Sequence, residues 1–203
     1  MSLRLVVLAS GGGTNLQAVL DSCAAGVLDA AVVAVVSNRP ESGALLRARS
    51  AGVTVRCVER IASETRPDYG TRLAGAVTAY APDVVILAGW MLVLPSTFLD
   101  AVGCRVINLH PALPGELPGL QAIERAHAEA VLGLRARSGV MVHEVPDEGV
   151  DDGPVLRTVE VPVDATTPLP EFERAMHEAE RHVLISVLHE LCSSERKGYT
   201  YDH

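Results

Sequence analysis

An asparagine and a histidine two positions apart, Asn108 and His110, are the residues of this chain best suited to chemistry. They follow the apolar run 104–107, typical of a buried strand, and precede a segment rich in proline and glycine. Side chains at i and i+2 of a strand point the same way, and open α/β sheets bind ligands where strands end. A carboxamide can donate to an oxyanion, and an imidazole can carry a proton. A histidine fixed by local hydrogen bonds in a proline-rich turn is the open alternative.

The composition of the 203-residue chain predicts one α/β domain built on a parallel sheet. Hydrophobic residues make up 48% but aromatic residues only 3%, so valine, leucine and alanine must fill the core. A net charge of -8 argues against broad binding to nucleic acid or anionic membranes. No apolar run reaches the roughly 20 residues that span a bilayer, and no signal peptide is evident, so we expect a cytoplasmic protein. The scattered cysteines favour free thiols over a metal site or disulfides.

Alternating apolar runs and helical patterns predict a doubly wound, mostly parallel sheet flanked by helices, with an antiparallel strand near the C-terminal part. The predicted strands are 3–9, 31–36, 53–58, 83–88, 104–107, 139–145 and 155–163. The predicted helices are 16–25, 42–51, 63–80, 121–131 and 169–191. We expect a single domain over residues 1–192 and a poorly ordered polar tail over 193–203.

A glycine-rich turn over residues 10–15 joins the first predicted strand to the first helix, an arrangement that suits an anion. The unpaired N–H groups of the helix face the ligand, and glycine lets the backbone approach it closely. No Lys-Ser/Thr pair follows, which excludes a Walker loop, and Leu16 replaces the third glycine of a dinucleotide fold. Asn38, after the second strand, is no carboxylate, which weakens a dinucleotide site further. A tight turn with Thr14 or Asn15 capping the helix stays open.

Other stretches of the chain carry weaker signals. The apolar loop 89–95 could wall a pocket for a flat ligand, but its pattern favours core packing. His143 lies in an alternating strand, where a histidine is more often structural than catalytic. The acidic loop 146–154 is typical of a solvated hairpin. Arg66 and the carboxylates in the middle of the last helix are typical of solvated positions.

Five segments, in this order, resemble the phosphoribosylglycinamide formyltransferases, a folate-dependent family of purine synthesis: VVLASGGGTN, SNRP, APDVVILAGWM, INLHPALP and EGVDDGPVL. The resemblance covers residues 3–191, and N-x-H-P with D-x-G-P at their mutual spacing is its most specific part. It implies a Rossmann-like formyltransferase fold. It also implies transfer of the formyl group of 10-formyltetrahydrofolate to the amine of glycinamide ribonucleotide, with no metal. These two small molecules would be the partners, rather than nucleic acid or a membrane, and a homodimer stays open.

The resemblance implies a role for each matching position. The catalytic residues would be Asn108, His110 and Asp151. The residues that bind glycinamide ribonucleotide would be Gly13, Thr14 and Asn15 at its phosphate, with His177, Glu178, Ala179 and Glu180. The residues that bind the folate would be Arg66, Met91, Leu92, Val93, Leu94, Asp147, Glu148, Gly149 and Val150.

The side-chain chemistry of the three residues at the catalytic positions also suits this reaction, independently of the resemblance. Attack of the amine on the formyl carbon develops a tetrahedral oxyanion, to which Asn108 can donate. Protonated His110 can stabilise that oxygen or protonate the departing folate nitrogen. A nearby Asp151 would favour the imidazolium and raise the pKa of His110. Positioning of two bound reactants supplies much of the remaining acceleration, so neither a metal nor a covalent nucleophile is required.

Three departures from the family pattern bear on the folate pocket. NLHPALPGELPG has its Leu-Pro one place earlier than the family, the loop 143–151 is one residue longer, and Gln121 stands where a histidine is usual.

Other protein classes fit parts of the pattern. A formyltetrahydrofolate hydrolase shares the three catalytic positions but usually carries an N-terminal regulatory domain, whereas the first strand here begins at residue 3. A methionyl-tRNA formyltransferase would need an added RNA-binding domain and a basic surface. A non-catalytic nucleotide-binding module would leave Asn108, His110 and Asp151 in no shared site.

Overall fold

Strands and helices account for most of residues 2–195, which are the residues that the computed structural model describes. The strands are β1 (Leu3–Leu8), β2 (Ala30–Ser37), β3 (Thr54–Cys57), β4 (Val84–Leu87), β5 (Arg105–His110), β6 (Arg137–Glu144) and β7 (Val155–Pro162). The helices are α1 (Thr14–Ala24), α2 (Gly43–Ser50), α3 (Arg66–Thr78), α4 (Ser96–Val102), α5 (Ala122–Val131) and α6 (Leu169–Glu195).

These strands form one mixed sheet in the order β3-β2-β1-β4-β5-β6-β7. The neighbours from β3 to β5 pair in parallel, whereas β5 with β6 and β6 with β7 pair antiparallel. Each residue of β4 is buried, as expected of a central strand that is covered on both faces. The predicted fold class is therefore confirmed, and the antiparallel pairing is confined to the last three strands of the sheet.

Helices cover both faces of the sheet because consecutive residues of its central strands are apolar and point to opposite sides. On β1, Leu5 and Val7 pack into a core cluster with α1, α2, α5 and α6. Val6 and Leu8 of the same strand pack into a second cluster with α3 and α4. The chain is thus doubly wound, with a buried parallel sheet between two layers of helices.

The order of the strands brings three connecting segments together at one edge of the sheet. The register pairs Leu8 of β1 with Leu87 of β4, and Leu87 with Asn108 of β5. The glycine-rich turn, the apolar loop 89–95 and the segment after β5 therefore leave the sheet side by side at its carboxyl edge. This is where an open α/β sheet binds its ligand, next to the point at which the strand order reverses.

Several element boundaries differ from the predictions. The sequence does not predict α4, because its seven residues are too few to show a helical period. α3 begins at Arg66 rather than at residue 63, since the Thr65 side chain accepts from the backbone N–H of Asp68 and caps the helix there. α6 extends to Glu195, so the first three residues of the predicted tail continue this helix, and residues 196–203 lie outside the described residues. Over residues 2–195, no helix combines the length and apolar character needed to cross a membrane.

Candidate active site

A cavity of about 780 Å³ opens at the carboxyl edge of β1, β4 and β5. Its walls come from the glycine-rich turn, the apolar loop, the start of α5, the acidic loop and α6, and its size is typical of a site for small molecules. The sequence-predicted residues that line it are Gly13, Thr14, Asn15, Met91, Leu92, Val93, Leu94, Asn108, His110, Asp147, Gly149, Val150, Asp151, His177 and Glu180.

Asp151 lies at the centre of a hydrogen-bond network in this cavity. Its Oδ1 accepts from Nδ2 of Asn108 at 2.9 Å, and its Oδ2 accepts from the backbone N–H of Gly119 at 2.8 Å. Oδ2 also lies 3.3 Å from Nδ1 of His110. Burial raises the pKa of Asp151, but the hydrogen bond from the Gly119 N–H and the neighbouring His110 ring lower it, and the net shift of the pKa is downward from its ordinary value. Asp151 is therefore a carboxylate at neutral pH, and a carboxylate can only accept hydrogen bonds.

Both ring nitrogens of His110 face acceptors. Nδ1 faces the Asp151 carboxylate, and Nε2 lies 3.2 Å from the carbonyl oxygen of Leu117. Only the doubly protonated ring can donate to both acceptors at once. Burial nevertheless lowers the pKa of His110 below 6.5, and this effect outweighs the upward pull of Asp151 and Leu117. Asp151 acts on the pKa of His110 in the predicted direction, but burial, which the sequence does not show, reverses the net shift, and the consequence is an imidazolium that gives up its proton readily.

His143 belongs to the same network, although the sequence pattern favours a structural role for it. The antiparallel pairing of β5 with β6 sets Asn108 directly opposite His143, so the two side chains share one face of the sheet. Nε2 of His143 lies 3.1 Å from Nδ2 of Asn108 and 3.6 Å from Oδ1 of Asp151. His143 can be recognised as a residue of the site only from the register between these two strands, which the sequence alone does not give.

The segment ALPGELPG, residues 112–119, supplies backbone groups to this network. The Leu117 carbonyl faces His110, and the Gly119 N–H donates to Asp151. Leu117 has φ 46° and Gly119 has φ 80°, so the chain turns sharply to aim both groups at the cavity. The part of the chain that departs from the family spacing is therefore in contact with two of the three side chains. Gln121, the other departure nearby, also lines the cavity.

The glycine-rich turn after β1 presents the N-terminus of α1 to the cavity. Gly13 occupies the cap position with φ 75°, and a Cβ there would lie 2.6 Å from the Cα of Ala44. The helix cap is therefore Gly13, with no side-chain hydrogen bond, and the alternative that Thr14 or Asn15 caps the helix is wrong. Arg47 of α2 holds the turn in place by donating from Nε to the carbonyl of Gly12 at 2.8 Å. The open N-terminus suits an anionic group.

The apolar loop 89–95 divides between the core and the cavity. Trp90 and Leu94 border the cavity but are otherwise buried in the core cluster of α3 and α4, whereas Met91 and Val93 are 48% and 45% exposed on the cavity wall. Ser10 fixes the loop, since its Oγ accepts from the Met91 backbone N–H at 3.1 Å. The core and pocket interpretations of this loop therefore each hold for part of it.

Four of the predicted binding residues do not line the cavity: Arg66, Glu148, Glu178 and Ala179. Arg66 and Glu148 form an ion pair at 2.9 Å, and Glu148 also accepts from the backbone N–H of Ser96 at 2.6 Å. The hydrogen bond from Ser96 is the main reason that the pKa of Glu148 lies below its ordinary value. These contacts tie the acidic loop, and with it Asp151, to the starts of α3 and α4.

The segment 177–180 of α6 contributes two of its four residues to the cavity. Glu178 is exposed on the outer side of the helix, and Ala179 packs into the core. His177 and Glu180 reach the cavity, and Nδ1 of His177 lies 2.6 Å from Oε2 of Glu180. The hydrogen bond to this buried carboxylate raises the pKa of His177 above 6.5.

An imidazole beside an ionised carboxylate, a carboxamide donor and an open helix N-terminus give this cavity the groups needed for acid–base chemistry on an anionic substrate. Across residues 2–195, no three His, Cys, Asp or Glu side chains are grouped as ligands for a metal ion. The family described as Formyl transferase matches residues 3–188, and the chain belongs to this family.

Relatives of known activity agree on one member of that family. The chain is 37% identical to the phosphoribosylglycinamide formyltransferase of Dictyostelium discoideum over 91% of this chain and 96% of the relative. It is 37% identical to the Schizosaccharomyces pombe enzyme of the same name over 97% and 100% of the two chains. The solved phosphoribosylglycinamide formyltransferase of Bacillus halodurans matches with a TM-score of 0.87 at 28% identity, covering 98% of this chain and 100% of the other.

Proposed function

We propose that this protein transfers the formyl group of 10-formyltetrahydrofolate to the amine of glycinamide ribonucleotide in de novo purine biosynthesis, in the cytoplasm. The observation that carries this proposal is the meeting of Asn108, His110 and Asp151 in one cavity that also holds an open helix N-terminus and an apolar wall. The relatives that match over nearly their whole length carry the name of this activity, which supports the same reaction. The two small molecules are the partners that this function requires.

The two substrates suit different parts of the cavity. The N–H groups and dipole at Gly13, Thr14 and Asn15 suit the phosphate of glycinamide ribonucleotide. His177 and Glu180, which line the cavity from α6, are the groups that we assign to the rest of that substrate.

The folate suits the apolar side of the cavity. A flat pteridine can pack against the apolar wall, which is formed by Met91, Leu92, Val93 and Leu94. The acidic loop adds Asp147, Gly149 and Val150 to the lining. Glu148 and Arg66 contribute by holding that loop against α3 and α4.

The residues of the network divide the chemistry between them. The substrate amine attacks the formyl carbon of the folate, and the bond from that carbon to the folate nitrogen then breaks. The amine loses one proton as the amide forms, and this proton replaces the one that His110 passes on. Asn108 donates an N–H to the formyl oxygen, where negative charge develops. His110 holds a proton at Nδ1 and, because its pKa is lowered, can pass it to the departing nitrogen. Asp151 orients Asn108 and balances the charge of the imidazolium.

Single-turnover kinetics of Asn108→Ala and His110→Ala test this assignment. Loss of one oxyanion donor typically slows the chemical step about 100- to 1000-fold, and we expect such a loss for Asn108→Ala with substrate binding retained. His189→Ala is the matched control, since this exposed histidine of α6 lies away from the cavity. If both cavity variants turned over as fast as the control, Asn108 and His110 would not carry the reaction.

A further inference from the structure

The carboxamide of Asn108 is held between two acceptors, and this raises the question of how it can also serve an oxyanion. Its Nδ2 lies 2.9 Å from Oδ1 of Asp151. Since Asp151 is ionised and can only accept, the amide nitrogen must point at it, and the reverse orientation of the amide would set oxygen against oxygen. One of the two N–H bonds of Asn108 is therefore committed to Asp151.

His143 takes the second N–H. Its Nδ1 lies 2.8 Å from the backbone carbonyl oxygen of Glu144, which can only accept, so Nδ1 carries the proton of the neutral ring. Nε2 is then a lone pair, and it lies 3.1 Å from Nδ2 of Asn108. The distance of 3.6 Å from Nε2 to Asp151 is too long for a competing hydrogen bond. His143 is 2% exposed, so water does not replace these contacts.

We propose that His143 is a positioning residue: its Nε2 lone pair, together with Asp151, fixes the plane of the Asn108 carboxamide and so the direction in which the reactive N–H points. A charged oxygen is a stronger acceptor than a neutral imidazole nitrogen, so the N–H is drawn to the oxyanion while the ring keeps the amide plane aligned. The bond to Asp151 is charge-assisted as well and stays in place, so the carboxamide does not have to reorient during the reaction. The proposal rests on the role assigned to Asn108 above.

Two substitutions of His143 distinguish the effect of its hydrogen-bond acceptor from the effect of its size. His143→Gln places an amide oxygen near the position of Nε2, whereas His143→Leu fills similar space without an acceptor. We expect His143→Leu to lower kcat about tenfold with KM for both substrates unchanged, and His143→Gln to restore most of the rate. His127→Leu is the matched control, because His127 also bonds a backbone carbonyl, that of Thr167, but lies outside the cavity. A defect in His143→Gln as large as in His143→Leu overturns the proposal.

A double-mutant cycle shows whether His143 acts through Asn108. In an Asn108→Ala background, we expect His143→Leu to cost nothing further, because there is no N–H left to position. If the two losses multiply, His143 acts by another route and the inference is wrong. If Asn108→Ala alone keeps full turnover, the assignment of Asn108 as the oxyanion donor fails first.

The tautomer of His143 can be measured in the unaltered protein, which avoids any effect of substitution on folding. ¹⁵N NMR distinguishes the two neutral tautomers of a histidine by the shifts of its ring nitrogens. We expect the Nδ1–H form, with Nε2 unprotonated. An Nε2–H ring has no lone pair to offer Asn108, so finding that form contradicts the proposal.

Discussion

Replacing Asp151 by asparagine removes one charge from the site and leaves the backbone undisturbed. Asp151 has φ 56°, in the left-handed region that few residues other than glycine occupy, and asparagine is one of those that tolerate it. The amide keeps one oxygen to accept from either Asn108 or the Gly119 N–H, but it has no charge to balance His110. The substitution therefore acts mainly on the imidazolium.

The size of the effect follows from the distance and the burial. Oδ2 of Asp151 and Nδ1 of His110 are 3.3 Å apart, and their side chains are 10% and 5% exposed. At this separation the attraction is about 1 kcal/mol in water and about 5 kcal/mol at the effective dielectric constant of about 20 that suits protein sites. A loss of about 3 kcal/mol lies between these limits and lowers kcat about 100-fold.

Single-turnover rates and substrate affinities measured side by side check this prediction. We expect the chemical step of Asp151→Asn to slow far more than binding weakens, because the contact with His110 matters most when the ring is charged. The pKa of His110 is already lowered by burial, and without Asp151 it falls further, so the loss of activity with rising pH begins at lower pH. Asp152→Asn, which removes the same charge from an exposed neighbour, is the control. Intact chemistry in Asp151→Asn would refute the role of the carboxylate.

Three further predictions follow from the structure. Gly13→Ala should destabilise the fold by about 3 kcal/mol, through its positive φ and the clash with Ala44, and thermal unfolding that matches the unaltered protein would contradict this. The raised pKa of His177 means that the stability from its pair with Glu180 is complete below pH 6.5 and is lost as the pH rises through that pKa. An NMR titration should find the midpoint of His177 above 6.5 and return it toward 6.5 in Glu180→Gln; a midpoint that does not move excludes this pairing. Glu148→Gln should raise the KM for the folate by loosening the acidic loop, and an unchanged KM would show that its contacts with Ser96 and Arg66 do not hold that loop.

The sequence predicts the sheet well because the buried strands contain short runs of consecutive apolar residues. Runs such as VVIL in β4 are apolar at each position and rich in β-branched residues, as a strand buried on both faces requires. Asn108 and His110 stand at the end of such a strand, so their position at the carboxyl edge of the sheet can also be predicted. The short helix α4 escapes prediction because seven residues carry too little periodic information.

Other features of the site depend on tertiary contacts that no local pattern contains. His143 reaches the site through the register of β6 on β5, and a shift of one residue would turn it to the other face. The net shift of the His110 pKa depends on how deeply the ring is buried, so the upward effect of Asp151, which the sequence suggests, does not decide its direction. The backbone contacts of Leu117 and Gly119 depend on positive φ angles in ALPGELPG that the spacing alone does not specify.

Whether the protein is a formyltransferase can be decided by following loss of the formyl group from 10-formyltetrahydrofolate with and without glycinamide ribonucleotide. We expect loss only when the amine is present, with one formylated ribonucleotide formed for each formyl group lost. Loss that does not depend on the amine would identify a hydrolase that uses the same three side chains. Binding without any loss would show that Asn108, His110 and Asp151 form a ligand site rather than a catalytic one.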